Sequence, residues 1–122
     1  MKIKTLTATA LVGIVGMFGA ATAQADGDTK VTIKGDNGDY YGYVKSSDPD
    51  CESFDREVKV YEMLGSKPKP KQDMEIGSDT AQPNGPHLMW SIGNSGYKDG
   101  YFYAKVKKAN GCDADISKVI AR

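Results

Sequence analysis

Apolar and polar residues alternate along seven short segments of the chain, and this period of two places successive side chains on opposite faces of a β-strand. Gly, Pro, Asn and Asp separate the segments at roughly 8–15 residue intervals, which is typical of an antiparallel sandwich or barrel. The predicted strands are residues 31–34, 40–46, 56–63, 74–80, 87–92, 100–108 and 116–121. We therefore predict an all-β fold, a seven-stranded antiparallel Greek-key β-sandwich.

The segment at residues 100–108 divides most clearly into two faces. Its predicted buried face carries Phe102, Ala104 and Val106. Its predicted exposed face carries Tyr101, Tyr103, Lys105 and Lys107. The same alternation places Val58 with Val60, and Leu88 with Trp90 and Ile92, on single faces of their strands.

Three polar segments interrupt the strands. Residues 36–39 (DNGD) and 81–86 (AQPNGP) contain Asn-Gly, a pair that tolerates the positive φ of tight hairpin turns. Residues 67–71 (KPKPK) contain two prolines, which cannot donate to a strand ladder, so we expect a solvated loop there. A docking site for an acidic partner is the alternative role for its lysines.

The first 25 residues have the three parts of a secretory signal peptide. Lys2 and Lys4 precede an apolar run over about residues 8–21, and Ala23-Gln24-Ala25 supplies the small residues of a cleavage site. The run is short for a transmembrane anchor, which is the alternative interpretation. We expect a secreted or periplasmic protein with a signal peptide at residues 1–25 and no membrane span after its cleavage.

Without residues 1–25, the chain has 97 residues with 14 basic and 16 acidic side chains. This length suits one domain, residues 26–122, with a core of modest size. The nearly neutral charge does not favour nucleic-acid binding, which usually requires a basic domain or face. We expect a monomer.

The two cysteines predict one disulfide, Cys51–Cys112, because exported proteins oxidise such pairs. Two free thiols are the alternative. The connections that carry these cysteines lie at the same end of a seven-strand Greek-key sandwich, so a bridge between them is geometrically reasonable. Zinc is disfavoured, because one histidine and two distant cysteines lack the usual ligand spacing.

The order of motifs resembles the prealbumin-like (transthyretin-like, carboxypeptidase-regulatory-like) β-sandwich domains of small secreted bacterial proteins. The matching pattern is G-x-V-x-S…C…R-x-V-x-V-Y…G-x-Y-x-A-x-V…C. The residues that carry it are 41–47, Cys51, 56–61, 77–80, Asn84-Gly85, Trp90, 100–106 and Cys112. His87 departs from it, since an aromatic residue usually follows the Asn-Gly turn at that position. The resemblance implies a sandwich fold and an extracellular setting, and no catalytic residues.

Catalytic chemistry has little support in the sequence. His87 is the one histidine, and no G-x-S-x-G elbow or comparable nucleophile setting occurs. Paired carboxylates can hydrolyse glycosidic bonds, but the acids here crowd loop tips, where burial that raises a pKa is hard to achieve. We expect no enzyme activity and no catalytic residues.

The acids around the two cysteines form the second candidate site. If the disulfide forms, it gathers carboxylates that could bind Ca²⁺ through loop oxygens, although neither loop fits the EF-hand pattern. The candidates are Asp48, Asp50, Glu52, Asp55, Asp113 and Asp115. A solvated acidic rim that aids solubility is the alternative, and we expect no other cofactor.

Tyrosines and lysines at outward positions of two strands form the third candidate site. Exposed aromatic rings beside basic groups stack on sugars or bases and anchor protein interfaces. The candidate binding face consists of Tyr41, Tyr43, Lys45, Tyr101, Tyr103, Lys105 and Lys107. If strands 40–46 and 100–108 share one sheet, these residues form one patch; in an immunoglobulin-like arrangement they point from opposite sheets. Tyrosine is also simply a good strand former.

These observations predict a small exported, non-catalytic binding module that recognises an extracellular protein or glycan through the candidate face or the loops. A structural accessory of the envelope or medium, with no specific small ligand, is the competing function.

Overall fold

The computed structural model describes residues 27–85 and 87–122, so the predicted signal peptide at residues 1–25 lies outside the described residues. The fold is all-β, as predicted, with one 3-10 helix at Pro49–Glu52 in the described part of the chain. The strands are β1 (Lys30–Val31), β2 (Lys34–Asp36), β3 (Asp39–Lys45), β4 (Arg56–Glu62), β5 (Met74–Asn84), β6 (His87–Ile92), β7 (Tyr101–Val106), β8 (Asp115–Ile116) and β9 (Ile120–Ala121).

The strands form one antiparallel sheet in the order β1-β3-β6-β5-β4-β7-β8, with β2 also paired to β3 and β9 to β7. Strands β4, β5 and β6 follow one another as neighbours, and β7 returns to lie beside β4, which is a Greek-key order. The two ends of the path meet, since the Val31 N–H of β1 donates to Asp115 Oδ2 of β8 at 2.8 Å. The sheet is therefore barrel-like.

Strand β5 is the reason that the sheet does not divide clearly into the two stacked layers predicted from the sequence. Its residues up to Ala81 pair with β4, whereas those from Gln82 onward pair with β6. One long strand thus belongs to both halves of the sheet. The turn predicted over 81–86 is correspondingly narrower, because Asn84 already pairs with His87.

The predicted first strand is present but divided into β1 and β2 at Thr32. Both pieces keep the same register against β3, and the Thr32 N–H donates to the Tyr43 carbonyl at 2.9 Å. The Thr32 carbonyl lies so close to Gly42 that a Cβ at position 42 would collide with it. Glycine at position 42 therefore permits this close approach of two backbones.

The hairpin between β2 and β3 turns at the predicted Asn-Gly pair. Asn37 and Gly38 have φ of 54° and 90°, the left-handed values that a type I′ turn requires at both central positions.

Alternating side chains from both halves of the sheet fill the interior, and the faces predicted for β4 and β6 and the inward residues of β7 are confirmed. Ring centroids of Tyr40 and Phe102, from opposite halves, lie 4.8 Å apart. Burial of each large apolar side chain contributes about 1.5–3 kcal/mol. The buried cluster comprises Val31, Ile33, Tyr40, Val44, Val58, Val60, Ala81, Leu88, Trp90, Phe102, Ala104 and Val106.

The predicted disulfide is present. Cys51 lies in the 3-10 helix between β3 and β4, and Cys112 lies between β7 and β8, with 5.8 Å between their Cα atoms. Both sulfur-bearing residues are buried. The bridge thus joins two connections at the same end of the sheet, as the strand order predicted.

Within the described residues, no helix has the length and apolar character needed to cross a membrane.

Candidate functional site

The outer surface of β1, β2 and β3 carries a compact group of aromatic and basic side chains. Strand alternation turns Tyr40, Gly42 and Val44 inward, so that Tyr41 and Tyr43 point outward and are 41% and 39% exposed. Lys45 continues the same outward row. We call the surface formed by Lys30, Lys34, Tyr41, Tyr43 and Lys45 the tyrosine–lysine face.

The register of β1 and β2 against β3 places Lys30 and Lys34, two lysines outside the predicted binding face, on this surface. Lys30 lies opposite Lys45, and Lys34 lies opposite Tyr41. Residues directly opposite in an antiparallel pair have side chains on the same side of the sheet. The two-residue turn at Asn37-Gly38 sets this register, although the sequence analysis did not extend the first strand to Lys30 or include Lys34 in the face.

Ring contacts order the centre of the tyrosine–lysine face. The Lys45 Nζ lies 5.6 Å from the centroid of the Tyr43 ring, a cation–π distance. The His87 ring of β6 meets Tyr43 edge-on, with 6.0 Å between centroids. These contacts hold Tyr43 between a basic and an aromatic neighbour without burying it.

An open groove of about 580 Å³ borders Tyr41. It forms where β5 leaves β6 to pair with β4, so the Ser91 N–H of β6 meets no backbone acceptor there and instead donates to Asp79 Oδ2 at 2.8 Å. The groove is lined by Tyr41, Asp79, Thr80, Gln82, Pro83, Met89, Trp90 and Ser91. Hydroxyl, amide and carboxylate groups therefore stand beside an exposed aromatic ring.

Tyr103 is buried, so its predicted place on the exposed face is wrong. Its side chain does point away from the interior, but the connection at residues 63–73 folds over it. The ring stacks on Tyr61 with 5.3 Å between centroids, and its hydroxyl donates to Asp73 Oδ2 at 2.5 Å. Burial, together with this hydrogen bond to a carboxylate, raises the pKa of Tyr103.

The other predicted residues of β7 lie on a different part of the sheet. Tyr101 is 56% exposed, Lys105 is half-buried and Lys107 is exposed just beyond the strand. In one direction β6, β5 and β4 separate β7 from β3, and in the other direction, across the closure, β8 and β1 separate them. The seven residues of the candidate face therefore do not form one patch, and the β3 residues alone remain beside the groove.

Several of the proposed Ca²⁺ ligands hold the local fold. Asp48 caps the 3-10 helix by accepting from the Asp50 N–H at 3.0 Å. Glu52 Oε2 accepts from the Ser46 N–H at 2.8 Å and lies 2.8 Å from His87 Nδ1. A carboxylate bound in this way has fewer lone pairs for a metal.

The two acids after Cys112 also take part in backbone contacts. The Asp115 carboxylate accepts from Val31, and the Asp113 carbonyl oxygen accepts from the Arg56 guanidinium at 3.0 Å. In the part of the chain that the structure describes, no group of three or more His, Cys, Asp or Glu side chains is arranged to hold a metal ion. Calcium binding stays a prediction.

Arg56 is a buried residue that the sequence analysis missed. Its side chain is 2% exposed, and its guanidinium donates to the carbonyls of Lys107 and Asp113 at 2.9 and 3.0 Å. Burial lowers its pKa. These bonds attach β4 to the connection that carries Cys112, so the role of Arg56 is structural.

His87 forms a pair with Glu52, and within residues 27–85 and 87–122 no hydroxyl or thiol is hydrogen-bonded to its ring. A triad requires such a nucleophile beside the base. Among the described residues, the His87 ring therefore belongs to no such triad.

Comparisons of this chain with protein-family models and with curated proteins find no match.

Proposed function

We propose that this chain is a small exported, non-catalytic binding module that recognises a glycan through the tyrosine–lysine face. The carrying observation is the pair of exposed rings, Tyr41 and Tyr43, on one rigid strand beside a polar groove. Because the two tyrosines are two residues apart in one strand, their positions along β3 differ by about 7 Å. This spacing lets both rings contact one extended ligand.

The chemistry of the groove favours a glycan over a protein surface. Aromatic rings stack on the apolar faces of sugars, whereas hydroxyl, amide and carboxylate groups bond their hydroxyls. Ser91, Gln82 and Asp79 supply such groups next to Tyr41. A stable protein interface usually covers about 800 Å² per partner, with an apolar centre larger than two half-exposed tyrosines provide.

Export is supported by the signal-like residues 1–25 and by the Cys51–Cys112 disulfide, a bond that persists in oxidising compartments. We also propose that the domain is prealbumin-like. The Greek-key strand order and the place of both cysteines support that proposal, while the barrel-like joining of the two halves through β5 is a feature of its own.

A glycan array tests the function with purified mature protein and three variants. Tyr41→Ala and Tyr43→Ala should each lose binding, because the platform for stacking is removed. Tyr101→Ala is the matched control, since it truncates an exposed tyrosine on β7, a strand that does not pair with β3. Binding that survives both β3 substitutions would reject this face as the site. No binding to any glycan would reject the proposal and favour the structural accessory.

A further inference from the structure

We infer that the ligand of the tyrosine–lysine face is an anionic glycan, specifically a carboxylated one such as a polyuronate chain, recognised by Lys30, Lys34 and Lys45 around the two tyrosines. This inference rests on the proposed function and adds the charge of the ligand to it.

The first observation is a pair of like charges. Lys30 and Lys45 lie directly opposite each other across β1 and β3, with their side chains on the same outer side. Like charges in this position destabilise a sheet, and a bound anion between them would relieve the repulsion. Nothing in the local packing requires two lysines there, since Lys30 is exposed and Lys45 is only half-buried.

The second observation is the lack of acidic partners for these lysines. Within the described residues, the ion pairs with N···O of 4.0 Å or less are Lys59–Glu75 and His87–Glu52. None involves the tyrosine–lysine face. The Lys30, Lys34 and Lys45 ammonium groups therefore have no carboxylate at ion-pair distance in this part of the chain.

Three of the acids that border the face are engaged elsewhere, whereas Asp36 is exposed and follows Lys34 on the same outer side. Asp28 Oδ1 accepts from the Ser47 N–H at 2.9 Å and from the hydroxyls of Ser47 and Ser46 at 2.6 and 3.1 Å. Glu52 is bound to Ser46 and His87, as described above. Asp79 is bound to the Ser91 N–H on the far side of Tyr41. Their hydrogen bonds hold these carboxylates away from the lysine ammonium groups.

Spacing favours a polymer with repeated charges. Lys30 and Lys34 are four residues apart along nearly continuous strands, which corresponds to about 13 Å. Tyr41 and Tyr43 lie in the adjacent row of side chains. Sugar rings stacked on these two tyrosines would therefore direct their carboxylates toward the lysines. A polysaccharide with one carboxylate on each sugar contacts both the tyrosine row and the lysine row along their length, whereas a single sugar contacts only part of them.

The side-chain chemistry favours carboxylates over dense sulfation. The face presents separate ammonium groups, and no arginine fork of the kind that binds oxyanions bidentately. The groove beside Tyr41 offers groups that bond free hydroxyls, which a polyuronate retains and heavy sulfation removes. Nucleic acid fits less well, because the chain without residues 1–25 has an excess of two acidic side chains.

Titration calorimetry of the mature protein with oligogalacturonate, and with the same oligomer methyl-esterified at its carboxylates, tests the inference. We expect the free acid to bind, binding to weaken as salt rises, and the ester to bind about tenfold less tightly. Lys30→Gln combined with Lys45→Gln should lower the affinity for the free acid about tenfold without lowering the melting temperature.

The matched control is Lys67→Gln combined with Lys71→Gln, which removes the same charge from the exposed β4–β5 connection and should leave affinity unchanged. Equal binding of acid and ester, lost in Tyr41→Ala but kept in the Lys30/Lys45 variant, would overturn the inference and leave the proposed function standing. Tighter binding of a sulfated glycan, polyglutamate or single-stranded DNA would overturn the choice of ligand. Binding of no glycan would remove the proposed function itself.

Discussion

The carboxylate of Asp115 accepts a hydrogen bond from the backbone N–H of Val31, at 2.8 Å, across the place where the two ends of the sheet meet. In an antiparallel ladder, the groups of Val31 that do not face β3 point outward from the edge. A side chain from β8 therefore satisfies an edge donor that would otherwise be open to pairing with another chain. At Val31 the barrel-like sheet therefore closes through a carboxylate, while backbone hydrogen bonds join Gly27 to Gly111 and Asp113 nearby.

Replacing Asp115 with alanine should lower the free energy of unfolding by about 1–3 kcal/mol, because the Val31 N–H loses a charged acceptor. Urea unfolding measures the change. Asp113→Ala is the matched control, since the contact of Asp113 with Arg56 uses its backbone carbonyl and survives the substitution. Equal loss in both variants would contradict the role of the Asp115–Val31 bond in closure.

Gly42→Ala should destabilise the fold by about 1–3 kcal/mol, since its Cβ would collide with the Thr32 carbonyl and separate β1 from β3. Thermal unfolding measures the effect. Gly65→Ala adds the same methyl group where nothing lies within 4 Å and should change stability little. An unchanged melting temperature in Gly42→Ala would show that the close approach at Thr32 does not matter to stability.

Reduction of the Cys51–Cys112 disulfide should cost about 4 kcal/mol, because the bridge closes a loop between residues 61 positions apart and restricts the unfolded chain. Urea unfolding with and without reductant measures this loss. A Cys51→Ala, Cys112→Ala double variant should be insensitive to reductant. Stability that is independent of reductant in the parent protein would contradict the prediction.

Alkaline pH should destabilise the fold through its buried tyrosines. Burial raises the pKa of Tyr40, Tyr61 and Tyr103 above the ordinary 10.0, and the Asp73 carboxylate adds to the effect at Tyr103. The unfolded chain then loses these protons first, so the stability they contribute is complete below pH 10 and declines as pH rises toward the folded-state values.

Tyrosinate absorbance during alkaline titration should show that some tyrosines of the folded protein ionise at higher pH than the others, as a late group. In urea-unfolded protein, all the tyrosines should ionise together. Tyr103→Phe should remove part of that late group while it keeps the stack on Tyr61. A single titration identical in folded and unfolded protein would refute the prediction.

Acidic pH should destabilise the two loops in which the Asp28 and Asp73 carboxylates accept hydrogen bonds. Hydrogen bonds from the Ser47 side chain and N–H lower the pKa of Asp28. Burial opposes the shift at Asp73, but hydrogen bonds from Tyr103 and from two backbone N–H groups still lower its pKa. Both groups stabilise the fold above the ordinary value of 3.8, and this stability is lost as pH falls through their lower folded-state pKa values.

Carboxylate resonances followed by NMR during acid titration should therefore place both midpoints below 3.8. Asp28→Asn and Asp73→Asn should each reduce the acid sensitivity of unfolding. An Asp28 midpoint at or above its ordinary value would contradict the hydrogen bonding seen at Ser47.

Local pattern was enough to predict most of the strands, the inward faces of β4 and β6 and the inward residues of β7, the Asn37-Gly38 turn and the cysteine pair. Each of these follows from period, turn chemistry or cysteine number, which a short segment carries by itself. The tyrosines of β3 were likewise found from their outward phase, and their exposure confirms that step.

Tertiary structure decided the rest, because it depends on which distant segments become neighbours. The 63–73 connection covers Tyr103, although strand alternation gives that residue an outward direction. The switch of β5 from β4 to β6 joins the two halves and opens the groove beside Tyr41. The closure at Asp115 joins residues 84 positions apart. A period of two records the face of a residue but not its partner across the sheet, so these contacts could not be read from the chain alone.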